Sequence, residues 1–209
     1  MNNWYEWVFS GIGVFIIGLL FRYSKNIVNY FTGIKFLDRS EIDKYLGTVH
    51  QRLDRTQSYI YISGNDGKFV VESMSAQLEM LLRQGKRLKL LLSDPNSNVP
   101  EMLSMIDPRF PTPSDFRSSM HTVLEILRKW KYSYPNNFEY RLLPFLPALG
   151  FFITDAESKK GIVKIEIYTA EPWQPINSRP HIVINNRAKK WRSYFINQWE
   201  NYWNRGRTP

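Results

Sequence analysis

Few side chains in this chain could carry chemistry. Its histidines are His50, His121 and His181, no two within four residues of one another, so no HxH or HExxH metal pair can be read. Cysteine is absent, which removes thiolate zinc sites and a disulfide-stapled scaffold together. No GxSxG nucleophile elbow, Walker sequence or GxGxxG occurs. The expectation is no metal and no cofactor, although sequence alone does not exclude a triad assembled from distant parts.

What remains is a set of polar residues at the ends of apolar runs. Ser63 closes "SYIYIS" and Gly64-Asn65-Asp66 follow it, while Ser93-Asp94 follows "RLKLLL". In open α/β sheets, ligands bind beyond the carboxyl ends of parallel strands. Gly64 allows close backbone approach, and Asn65 and Asp66 offer hydrogen-bonding groups beside a helix start, where N–H groups attract anions. The same four residues also read as an ordinary capped helix start. Arg141 in "EYRLLP", Tyr168 in "IEIY" and Arg179-Pro180-His181 are polar groups within or bounding otherwise apolar strands. A guanidinium can bind phosphate bidentately, and an aromatic ring can stack on a base. Each is equally open to a structural role: Arg141 could pair with Asp155, and His181 could sit satisfied in the core.

The elements that must position these groups follow from periodicity. "DRSEIDKYLGTVHQRLDRTQ" has Ile42, Tyr45, Leu46, Val49 and Leu53 at helical spacing behind a Ser40 cap. "SYIYIS", "KFVVESMSAQLEMLLRQG" and "RLKLLLSDP" read as strand, helix and strand, which implies a parallel pair and an α/β domain. "TPSDFRSSMHTVLEILRKWKY" is a long helix with Ser114 as its cap, reached through a Pro-rich connection from Asp94. "FEYRLLP", "GFFITD", "GIVKIEIYTA" and "RPHIVI" are strand candidates. In the closing helix Trp191, Tyr194, Phe195, Trp199, Tyr202 and Trp203 share one broad face. That face reads first as core and second as a stacking surface for bases.

The chain has 209 residues, room for one domain with a sizeable core plus one extra element. The extra element is the N-terminal segment. "WVFSGIGVFIIGLLF", Trp7 to Phe21, carries no charge. Extended back to Trp4 it makes roughly 27 Å of helix at about 1.5 Å per residue, close to the roughly 30 Å of a hydrocarbon core. Trp4, Tyr5 and Trp7 form an aromatic belt at one end, and Arg22 and Tyr23 mark the other. The start lacks the basic residues and cleavage site of a signal peptide. The expectation is a transmembrane helix over residues 4–22, with Arg22, Lys25 and Lys35 keeping everything after it in the cytoplasm. Gly11, Gly18 and Ser10 could let spanning helices associate, although no GxxxG is formed. Residues 23–40 read as a juxtamembrane amphipathic linker, with Ile27, Phe31 and Ile34 on one face. Residues 41–209 are then the cytoplasmic domain. The net charge is +9, and from Arg179 onward seven Lys or Arg residues face one acid, Glu200. That balance favours an anionic partner or membrane surface.

The order of elements resembles a single lobe of the phospholipase D-like superfamily over Ser58 to Trp203. The matching stretches are "YIYISG", "RLKLLLSDPNS", "EYRLLPFLPALGFFITD", "GIVKIEIY" and the terminal "WENYW". The family's motif is H-x-K-x4-D, in which the His attacks phosphorus, the Lys binds phosphate and the Asp orients or supports. Counting back from Asp155 puts Ala148 at the His position and Gly150 at the Lys position. No other histidine restores the motif, since His50 is followed at the Lys position by Arg52, His121 by Val123 and His181 by Val183.

The resemblance implies an α/β fold with a mixed sheet, helices on both faces and the family's cleft. It does not imply the phosphodiesterase activity, because a covalent route needs its nucleophile. The expected protein is a membrane-anchored, catalytically inactive binding or sensor module for an anionic ligand, a nucleotide first among them, or for a protein. Its ligand contacts would be Ser63, Gly64, Asn65, Asp94, Arg141, Asp155, Tyr168, Arg179 and His181, with no catalytic residue. Binding would control self-assembly of the spanning helices, as in a bacterial signalling or defence effector. Two alternatives stand beside it. One is a phosphodiesterase using His181, Asp94 and Asp155. The other is an adaptor docking an acidic partner or lipid headgroups through its basic C-terminal helix.

Overall fold

A computed structural model describes residues 32–168 and 179–209. The expected spanning helix, most of the juxtamembrane linker and the segment after Tyr168 lie outside the described residues. No helix among the described residues is long and apolar enough to cross a membrane.

A seven-stranded mixed sheet organises the domain. Its strands are β1 (Ile34–Leu37), β2 (Tyr59–Ser63), β3 (Arg87–Ser93), β4 (Phe138–Leu143), β5 (Leu149–Thr154), β6 (Ile162–Ile167) and β7 (His181–Ile184), in the order β1-β7-β6-β5-β2-β3-β4. β2, β3 and β4 are parallel and every other pairing is antiparallel. The strand–helix–strand reading and the four later strand candidates agree with this topology. Ile34–Leu37 is the departure: expected within an amphipathic linker, it is an edge strand paired with β7. A four-residue strand leaves too little periodicity to tell from a helix turn.

The helices are α1 (Arg39–Leu46), α2 (Val49–Asp54), α3 (Lys68–Ser73), α4 (Ser75–Arg83), α5 (Val99–Ile106), α6 (Pro113–Ser133) and α7 (Lys189–Arg205). Asp38 rather than Ser40 caps α1, in a capping box with Glu41. The expected single helix over Asp38–Gln57 breaks at Gly47, where φ is 82° and Thr48 starts α2 with a second capping box. Thr112, not Ser114, caps α6, with Pro113 at the first helical position. The Pro-rich connection after Asp94 contains α5, whose Val99 and Leu103 are fully buried.

Alternation along the strands builds two cores. Ile60, Ile62, Leu88, Leu90, Leu92, Phe138 and Phe152 face one side, where α2 to α6 cover them. Tyr59, Leu91, Phe151, Ile153, Val163, Ile165 and Ile184 face the other, where α7 brings Trp199 and Trp203. The terminal aromatics are therefore divided. Trp199 and Trp203 are core, whereas Trp191 and Tyr194 are half exposed.

Candidate functional site

On the α2–α6 side, the sheet is apolar only over β2 to β5. Toward β6 and β7 the same face turns polar, because Lys164, Glu166 and Tyr168 alternate inward against Val163 and Ile165 on the α7 side. The antiparallel register sets Glu166 between Gly150 of β5 and His181 of β7, and Lys164 beside Phe152. α1, α2 and α3 stand over this polar strip and with it line an open cavity of about 420 Å³.

Of the nine sequence-expected residues, six line this cavity: Ser63, Gly64, Asn65, Tyr168, Arg179 and His181. Asp94, Arg141 and Asp155 do not. Asp94 closes the loop after β3 by accepting from the Asn96 N–H at 2.8 Å. Arg141 points to the α7 side, donates to the Trp203 carbonyl at 2.9 Å and stacks on its ring. It does not pair with Asp155. Asp155 follows the last residue of β5, and antiparallel pairing carries it to the start of β2, the end away from Ser63. There its carboxylate accepts from the backbone N–H groups of Gln57 at 2.6 Å, Ser58 at 2.8 Å and Tyr59 at 3.1 Å. It holds a left-handed φ of 42°, and Gly161 closes over its carbonyl. Asp155 is a structural clamp on the entry to β2.

The cavity lining carries six Arg or Lys side chains against four carboxylates. Four pairs form: Arg52 with Asp43, Lys68 with Glu72, Arg109 with Asp66 and Arg179 with Glu166. Arg39 and Lys164 make no ion pair among the described residues. Arg39 stacks near the half-exposed Phe69 ring. Lys164 hydrogen-bonds to nothing described, and burial pulls its ammonium down to about 8 despite the attraction of Glu166. Asn65 Oδ1, also in the lining, is buried and has no hydrogen-bond partner among the described residues.

Glu166 is the hub of the strip. Burial pushes its carboxyl up, but His181, Lys164 and Arg179 together hold it at about 2. Arg179 donates to it at 3.0 Å, and His181 Nε2 stands 3.8 Å away, ion-pair range rather than a hydrogen bond. His181 Nδ1 lies 2.8 Å from the Arg179 carbonyl. The ring is almost wholly enclosed and both nitrogens face oxygens, so His181 is an anchor for Glu166 and the Arg179 backbone. Tyr168 is part-buried next to Glu166, and desolvation and the neighbouring carboxylate both push its hydroxyl up, which keeps the phenol protonated.

Gly150 stands at the position where the motif would have Lys. A Cβ there would collide with the Tyr168 hydroxyl and lie 2.9 Å from Cζ of the same ring. Tyr168 therefore occupies the space into which a side chain at 150 would grow. Sequence reasoning missed Lys164, Glu166, Arg109 and Arg52. For the first two a signal existed: in "IVKIEIY" the charges fall on alternate residues with Tyr168, one face of a strand.

At the helix start after Asp66, one of the expected anion-binding N–H groups, that of Lys68, is already engaged. Gly67, at φ 64°, starts α3 with no side-chain cap, and Asp66 itself accepts from the Lys68 N–H. Asp66 is in turn held by Arg109, which also grips Asp107.

No family model and no curated protein matches the chain. Solved structures do. The phosphatidylserine synthase of Haemophilus influenzae Rd KW20 aligns with a TM-score of 0.55 at 13% identity, over 84% of this chain and 39% of that one. NucT from Helicobacter pylori aligns at 0.51 and 12% identity, over 84% and 98%. Both are phospholipase D-family members. The fold is phospholipase D-like. TrmBL2, an archaeal chromatin protein with a novel mode of DNA binding, aligns at 0.51 and 13% identity over 99% of this chain and 67% of its own. At these identities the likeness concerns the fold alone.

Proposed function

We propose that the chain is a membrane-anchored, catalytically inactive phospholipase D-like module whose cavity takes a small anionic ligand, with nucleotides the first class to test. The observation that carries this is Lys164. It presents an ammonium to a net-positive cavity, and nothing described accepts a hydrogen bond from it. A phosphate or carboxylate oxygen would supply that acceptor and would add the charge that Arg39 and Lys164 lack. The Phe69 ring at the lining offers a stacking face, and Asn65 Oδ1 an acceptor for an N–H or O–H of the same ligand. The inactive part of the reading rests on Ala148 and Gly150 at the motif positions and on Tyr168 over Gly150. The anchor rests on the charge-free run from Trp7 to Phe21.

Binding by such a module would act on the association of its membrane segments, as in a signalling or defence effector. The test is calorimetric titration of the full chain in detergent with inorganic phosphate, pyrophosphate and linear and cyclic nucleotides, beside Lys164→Gln. Saturable binding that Lys164→Gln abolishes is expected. No binding by any of them, or binding indifferent to Lys164→Gln, overturns the cavity reading. Hydrolysis of a phosphodiester that His181→Ala removes would instead favour the enzyme.

A further inference from the structure

The half-exposed aromatics of α7 do not stand alone. Trp191, Tyr194 and Phe195 touch one another, with centroids 5.2 to 6.4 Å apart. Lys189 and Lys190 flank them, exposed and without an ion pair among the described residues. On the same side of the sheet, Phe36 of the edge strand β1 is 70% exposed. Its register partner Ile182 packs into the α7 core, which fixes the side from which Phe36 projects. Three large rings and two cations on one surface have the composition of a membrane-interface anchor.

Where the chain enters the domain decides the occupant. The Gly33 carbonyl accepts from Asn185 N–H at 2.9 Å, and a Cβ on Gly33 would meet Asn185, Arg187 and the Ala188 backbone. The entry point of the chain is therefore packed against the turn that starts α7, one helical turn from Trp191. Before it, residues 22–32 connect to the charge-free run ending at Phe21. Even fully extended at roughly 3.5 Å per residue, they reach only about 40 Å. We infer that this surface, Phe36 with Lys189, Lys190, Trp191 and Tyr194, docks on the anionic lipid surface of the bilayer that holds the N-terminal segment. The inference rests on the proposed anchor. Docked this way, the α7 side of the sheet meets the headgroups, and the cavity on the opposite side opens to the aqueous phase.

Because the chain has no cysteine, single-cysteine probes are clean. The full chain carrying Tyr194→Cys, or Lys190→Cys should the first not fold, is labelled with an environment-sensitive fluorophore. It is reconstituted in phosphatidylcholine vesicles with and without phosphatidylserine, half of them containing brominated lipid. Tyr132→Cys, at a 90% exposed position on α6, is the control. We expect the α7 probe to shift to the blue and be quenched by brominated lipid in anionic vesicles, and the control probe to stay unquenched. Lys189→Glu with Lys190→Glu should abolish the quenching while the protein still floats with the vesicles, since each lysine near an anionic surface adds roughly fivefold (about 1 kcal/mol) to partitioning. A chain that floats with its α7 probe quenched no more than the control overturns the docking and spares the anchor. A chain that does not float overturns both. A probe that responds to an oligonucleotide without vesicles, and not to lipid, assigns the surface to nucleic acid and overturns the docking.

Discussion

Replacing Lys164 with Met should make the protein more stable and unable to bind its anion. An ordinary lysine ammonium titrates near 10.5, and burial in the cavity strip brings Lys164 to about 8. That difference corresponds to roughly 3 kcal/mol charged to the folded state whenever Lys164 is protonated. The sign follows from proton counting. Below pH 8 both folded and unfolded chains hold the proton, and the penalty is present in full. Between 8 and 10.5 the folded chain has released it while the unfolded chain keeps it, so stability rises with pH through this window and levels off above it. Lys164→Met removes the ammonium and keeps the apolar stem, so at pH 7 the variant should gain up to about 3 kcal/mol. In a chain of this size that is about 6–12 °C in Tm. The gain should shrink through the same window.

A bound anion, as proposed, would reverse the effect, because a negative charge beside Lys164 favours its charged form. Wild-type affinity should be flat below pH 8 and fall about tenfold per pH unit above it. Binding near pH 8.5 should take up a proton, read as a dependence of the titration heat on buffer ionisation enthalpy. The assay is thermal unfolding and calorimetric titration of the full chain in detergent from pH 6 to 11. A variant less stable than wild type at pH 7, or a wild-type stability that stays flat between pH 8 and 10.5, refutes the reasoning.

Glu166→Gln should act in the opposite direction. The carboxyl is held at about 2 by its neighbours, so its stabilisation, up to about 3 kcal/mol, is present above the ordinary carboxylate range and is lost as pH falls toward 2; wild-type and variant Tm should differ at pH 7 and converge in acid. Gly150→Ala should cost about 1–3 kcal/mol by overpacking against Tyr168, and Tyr168→Ala in the same chain should recover part of it, which a double-mutant cycle in urea reads directly. Asp155→Asn keeps one acceptor and tolerates the left-handed φ, but weakens three backbone hydrogen bonds to a charged group, so a loss of about 3 kcal/mol is expected; an unchanged urea midpoint would remove Asp155 from its clamping role.

The strands were legible in the sequence because alternation survives wherever a strand is half-buried, as in "FEYRLL" and "IVKIEI". The parallel β2–β3 pair was legible from the helical stretch between them. Capping residues were misread by two positions at both α1 and α6. In each case an Asp or Thr stands two residues before a Ser, so two nearby side chains are chemically suitable, and only backbone geometry selects between them. The cavity was half legible. Ser63, Gly64 and Asn65 stand at the end of a strand the pattern reveals, but Lys164 and Glu166 look like the solvent face of a hairpin. They are part-buried because α1 and α2 line the cavity in front of them, and that arrangement joins residues more than a hundred positions apart. Asp155 was found for its spacing, and its role follows only from antiparallel pairing, which sets the end of β5 beside the start of β2.

One line of paired residues on the cavity face bears on the proposed signalling. Arg179 and Glu166 meet in the cavity, and His181, the first residue of β7, contacts both. Across the sheet from Glu166, His181 pairs with Leu37, the last residue of β1. β1 in turn begins just after Gly33, the point where the N-terminal segment joins the domain. An anion that competes with Glu166 for Arg179 would change the restraint on β7, a four-residue strand whose other neighbour, β1, is the first strand after the proposed anchor. The Arg52, Asp43 and Arg109 side of the cavity is tied to α1, to α2 and to the loop after α5, and α1 itself follows β1 directly. On the proposed function, coupling between ligand and membrane would run through β1, reached from β7 or from α1, at the least extensively paired corner of the sheet. A short edge pair of this kind can exchange between two arrangements at lower cost than the packed β2–β3–β4 core can.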